Sequence, residues 1–159
     1  MTLREHIDAA APTIARRDGN FALVVYEGLL LPAPKTYRYG PAYREAVLAE
    51  AFHLDERLGR GIAYLHPTDT FDRRAGVARA CRRAIKEVRD TIGNPDISRY
   101  LRRVLLHDVL AQVDSDEVQR RLREESERRE AANPYVTPHE RAYEIFSAML
   151  DRAFKPEER

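Results

Sequence analysis

Residues Arg60 to Ile92 read RGIAYLHPTDTFDRRAGVARACRRAIKEVRDTI. The stretch predicts a short apolar strand, a proline turn rich in helix-capping residues, and a long helix. Along that helix Ala78, Cys81, Ile85, Val88 and Ile92 recur at the three- and four-residue spacing of one buried stripe. Arg79, Arg82, Arg83 and Lys86 recur with the same spacing on the opposite side. Like charges on neighbouring turns repel one another unless an anion or an internal acid answers them. Glu87 and Asp90, four residues after Arg83 and Lys86, are the nearest acids able to do so. Thr68, Asp69, Thr70 and Asp72 compete to cap the helix start, and Gly93-Asn94-Pro95 ends it. With acids on the first amides, Arg73, Arg74 and Arg79 are the groups expected to point outward. Phe71 suits a core anchor beside the cap.

Outward from this stretch, a first helix is expected from Leu3 to about Arg16, capped by Thr2 and kinked or shortened by Pro12. FALVVY, Phe21 to Tyr26, reads as a strand, and Glu27-Gly28 as a tight hairpin before Leu29 to Leu31. Pro32 and Pro34 mark a loop or edge strand. Pro41 then opens an expected helix through Ala42, Ala46, Leu48, Ala49 and Phe52, closed by Leu58-Gly59. A helix is expected from Pro95 to Val113 with Asn94 as its cap. Asp114 or Ser115 starts a highly charged segment, a solvated helix or one edge of an oligomer contact, ending at Asn133-Pro134. Thr137 and Glu140 form a capping box before a last amphipathic helix carrying Ala142, Ile145, Phe146, Met149, Leu150 and Ala153. The fold class expected is α+β and predominantly helical. It has a small sheet of two or three short strands packed on four to six helices, with all-α as the alternative. The chain reads as one domain: a mixed part over 1–66, a basic helical part over 67–113 and charged helices over 114–159.

The 159 residues are 43% apolar and 33% charged, the composition of a globular protein. No apolar run approaches the roughly 20 residues that cross a bilayer, and MTLREHIDAAAPTIARR lacks the continuous apolar core of a secretory leader. The single cysteine, Cys81, has no partner for an internal disulfide, which fits a cytoplasmic setting. The net charge of +1 hides an asymmetry. Residues 72–104 hold ten Lys/Arg against four Asp/Glu, whereas residues 105–159 hold nine against thirteen. Such a division steers a charged partner or pairs one copy with another.

The spacing of Gly61, Ala63, Pro67, Asp69, Phe71, Asp72, Arg73 and Gly76 resembles a strand–turn–helix module of small phage-encoded proteins, most without an assigned function. The resemblance covers residues 61–85 and implies a mobile-element origin and interference with a host system. It carries over no catalytic residue. His66-Pro67-Thr68 matches one arm of a two-histidine phosphoesterase, but no second arm exists among the other histidines. The histidines and the cysteine lack metal-ligand spacing, and the glycines form no phosphate-cradling loop, so neither a metal nor a cofactor is expected. Cys81 on the apolar stripe reads as inert packing. Tyr37, Tyr39 and Tyr43 alternate with Arg38 and Arg44 in a segment expected to be a loop entering a helix. There they could stack on a base or ring.

The function these features support is a non-enzymatic protein that binds a phosphate-bearing ligand, either nucleic acid or a signalling nucleotide. Arg73, Arg74, Arg79, Arg82, Arg83 and Lys86 would supply the charge, with Arg99, Arg102 and Arg103 as reinforcement and Tyr37 and Tyr39 as a stacking wall. The alternative is a protein–protein module, gripping a host protein or forming a homo-oligomer.

Overall fold

A four-stranded antiparallel meander dominates the N-terminal half of the computed structural model, which describes residues 2–35, 42–66, 70, 72–132 and 137–154. Its strands are β1 (Ile14–Asp18), β2 (Phe21–Pro32), β3 (Tyr43–His53) and β4 (Glu56–Tyr64), in that spatial order. The expectation of two or three short strands is therefore overturned. Helix α1 (Leu3–Asp8) precedes the sheet, and α2 (Arg73–Ile92) follows it. A continuous helical run then comprises α3 (Pro95–Tyr100), a π-geometry stretch over Leu101–Leu106, and α4 (His107–Ala132). The last element is α5 (Pro138–Phe154). The chain divides into two compact units, Met1–Val113 and Asp114–Arg159. Among the described residues, no helix is long and apolar enough to cross a membrane.

The largest correction is β3, which the sequence reading made a helix. A strand covered on one side alternates apolar and polar residues, but β3 is covered on both. Val47, Ala49 and Ala51 join the core beneath α2, with Leu23, Val25, Ile85 and Leu105. Ala46 and Leu48 join a second core on the other face, with Ile7 of α1, Leu29 and Leu31. The resulting apolar run AVLA has no period to betray it, and its alanines favour helix by propensity.

A second correction concerns Glu27-Gly28. The chain does not reverse there; β2 continues to Pro32 through a bulge between Tyr26 and Leu29, with Gly28 at φ 68°. The inserted residue switches which face the odd-numbered side chains occupy. Leu23 and Val25 lie under α2, whereas Leu29 and Leu31 lie under α1. One strand thus feeds two cores.

The first helix stops at Asp8, well before Arg16, and Ile14 to Asp18 instead pair with β2. The capping box on Thr2 forms as expected. Leu58-Gly59 closes no helix; both residues lie within β4. No helix starts at Asp114 or Ser115, because α4 runs through them to Ala132, although the second compact unit begins at Asp114. Both side chains are exposed, so neither has to satisfy itself against buried backbone and the helix continues at small cost.

Candidate polyanion-binding face

Helix α2 is set by its ends. The Asp72 carboxylate accepts a hydrogen bond from the Ala75 amide at 3.1 Å, and Gly93 ends the helix in the left-handed region at φ 69°. Seven side chains from Val77 to Val88 are buried on one side. The helix backbone lies directly on β4. A Cβ at Gly61 would stand 2.1 Å from the Ala80 carbonyl oxygen, and one at Gly59 would stand 2.4 Å from that of Ala84. Only glycine permits such an approach. The alternation Gly59-x-Gly61-x-Ala63 was the sequence signal for this seat, and the helix reading that ended at Gly59 concealed it.

Seated this way, α2 turns Arg79, Arg82, Arg83 and Lys86 to the exposed side. The helix rises 1.5 Å per residue, so the row runs for about 10 Å. Arg83 donates from Nη1 to the Ile62 carbonyl oxygen at 2.5 Å, occupying a backbone acceptor of β4, one of the two edge strands. Arg79, Arg82 and Lys86 make no hydrogen bond or ion pair among the described residues. Neither of the expected pairs forms: Glu87 does not reach Arg83, and Asp90 sits 3.6 Å from Arg89 instead of on Lys86. Ala75 and the four cations line a shallow, open hollow of about 310 Å³.

The remaining candidates separate. Arg73 turns inward. Its Nε and Nη2 donate to the two carboxylate oxygens of Glu27 at 2.6 and 2.9 Å, and Thr13 Oγ1 donates to Glu27 Oε2 at 2.5 Å. Arg73 is thus a strut from the start of α2 to the β2 bulge rather than a group offered to solvent. Glu27, the bulge residue, is the component that sequence reasoning missed. Arg74 is exposed on the first turn and has an interaction of its own. Arg99 pairs with Asp96 at 3.4 Å, while Arg102 and Arg103 are exposed on the π stretch. Tyr37, Tyr39 and Phe71 lie outside the described residues. Tyr43 and Arg44 begin β3 rather than a helix, with Arg44 buried. Cys81 is buried, and burial pushes its thiol up to about 12, so it is no nucleophile at neutral pH.

A second cavity of about 250 Å³ adjoins the helix start, lined by Glu27, Glu45, Asp72, Tyr64 and Thr70, with Arg79 shared between it and the open hollow. Its acids make it a poor receptor for phosphate, and Asp72 already occupies an amide at the helix start. The unanswered cations therefore stand on the outer row, whereas acids line the cavity at the helix start. Comparison with protein-family models, curated proteins and solved structures finds no match to this chain.

Proposed function

We propose that the chain is a binding protein for an extended phosphodiester backbone, gripped by the exposed row of α2. The observation that carries this reading is that Arg79, Arg82 and Lys86 stand on successive turns with no acid answering them among the described residues. Keeping like charges adjacent costs a few tenths of a kcal/mol per pair, which an anionic ligand offsets. A row of about 10 Å that carries three unanswered cations can meet successive phosphates of one strand. The hollow is open and, among the described residues, no aromatic side chain lines it, whereas a nucleotide receptor encloses its ligand against apolar or aromatic walls. Nucleic acid is accordingly favoured over a small nucleotide.

The test is fluorescence anisotropy of a labelled mixed-sequence duplex with the wild-type chain and the triple variant Arg79→Ala/Arg82→Ala/Lys86→Ala. The variant is expected to bind at least about tenfold more weakly, as the loss of several phosphate contacts requires. Equal affinity of the two proteins for the duplex would remove the proposal.

A further inference from the structure

Helix α5 buries the wrong amount of its apolar surface for a helix at rest. Its inner side meets α4: Ile145 is 7% exposed, and Arg141 Nη1 lies 3.0 Å from Glu130 Oε1. Yet Tyr143, Phe146, Met149 and Leu150 are 70%, 61%, 45% and 41% exposed. At about 100° per residue, Tyr143, Phe146 and Leu150 share one narrow arc, and Met149 and Ala142 lie between that arc and Ile145. These four large side chains recur over two turns, the spacing by which a helix anchors in a groove. The two flanks of the arc differ in charge. On one side stand Glu140, Glu144 and Asp151, all exposed. On the other is a groove of about 400 Å³ between α4 and α5, lined by Val118, Leu122 and Ile145 together with Arg121, Arg129, Arg152 and a single acid, Glu125.

We propose that this face is covered by the same face of a second copy, giving a parallel pair of α5 helices flanked by the two α4 helices. An apolar arc bordered by acids on one flank and by an arginine-lined groove on the other is complementary to itself. In a parallel two-fold pair, opposite flanks meet, so the acids of each α5 lie against the groove arginines of its partner. An antiparallel pair would set acids against acids. Arg121 and Arg129 already hold Glu117 and Glu125 at 3.0 and 3.1 Å, while Arg152 has no partner among the described residues and gains one. The product is a four-helix arrangement with its apolar residues inside.

Sedimentation equilibrium of the full chain is expected to give twice the 18.3 kDa protomer mass. Phe146→Asp/Leu150→Asp is expected to give the protomer mass with unchanged helical circular dichroism. Orientation is read by cysteine exchange at opposite ends of the face. Ala142→Cys alone and Ala153→Cys alone each form a disulfide-linked dimer in a parallel pair, while the wild type, whose Cys81 is buried, forms none. A wild-type monomer at all concentrations, or a dimer unchanged by the two aspartates, overturns the proposal. So does cross-linking only when the two cysteine variants are mixed, the signature of antiparallel pairing. None of these readouts involves nucleic acid, so they stand or fall separately from the function proposed for α2.

Discussion

Helices α2 and α4 are both rich in arginine, but most α4 cations meet acids of their own helix, whereas Arg79, Arg82 and Lys86 of α2 meet none among the described residues. Glu117 holds Arg120 at 2.6 Å and Arg121 at 3.0 Å, and Glu125 holds Arg128 at 3.5 Å and Arg129 at 3.1 Å. In each of these pairs the acid precedes the base by three or four residues. In α2 the order is reversed, with Arg83 before Glu87 and Lys86 before Asp90, and no such pair forms. Acid before base is the better arrangement on a helix, because it agrees with the helix dipole. Arg120 also reaches forward to Glu124 at 2.5 Å, a base-first pair beside its contact with Glu117. Charge order and charge number together separate the two helices: α2 carries seven Lys/Arg against two Asp/Glu, α4 five against eight.

The largest expected effect follows from how α2 is seated. Gly61→Ala places a methyl group where the Ala80 carbonyl oxygen stands, and overpacking of this kind costs about 2 to 3 kcal/mol. Urea denaturation is expected to show that loss together with weakened duplex binding; a variant as stable as wild type would refute the close helix–strand seat. Next, Ala75→Glu would give α2 the order that α4 has, an acid four residues before Arg79. Duplex affinity is expected to fall severalfold with stability unchanged, and no change in affinity would show that charge order is irrelevant here. An equal number of neutralisations in α4, Arg120→Ala/Arg121→Ala/Arg128→Ala, is expected to leave duplex binding within about twofold, because those cations are already spoken for.

The smallest effect is on titration. The hydrogen bond from Arg120, then that from Arg121, lowers the Glu117 carboxyl to about 2 from the ordinary 4.5. A carboxyl lowered in the folded state stabilises fully above its unfolded value. That contribution is lost as pH falls through the folded value. The pairs of Glu117 with Arg120 and Arg121 are thus expected to persist through pH 4 and fail near pH 2. An NMR titration of Glu117 should show its midpoint near 2 in the wild type and shifted upward in Arg120→Ala. A wild-type midpoint near 4.5 would mean the pairs do not hold in solution.

What the sequence made legible were features with a local cause. Asp72 and Gly93 mark the ends of α2, the capping residues Thr2 and Thr137 mark two more helix starts, and the one-sided stripe fixes which way α2 faces. What it hid were features caused by distant neighbours. Strand β3 lost its alternation because helices cover both of its faces, and the β2 bulge looked like a hairpin because a glycine at positive φ serves either purpose. The same holds at the site. The outward row was readable from spacing, but Arg73 was not: its partner Glu27 lies 46 residues away and is aimed by the bulge.

The salt dependence of duplex binding tests the central claim most directly. Each phosphate contact contributes about −0.9 to the slope of log affinity against log salt. The wild-type slope should therefore be steeper than that of Arg79→Ala/Arg82→Ala/Lys86→Ala by about 3. Identical slopes for the two proteins would mean that the unanswered cations of α2 do not meet phosphate.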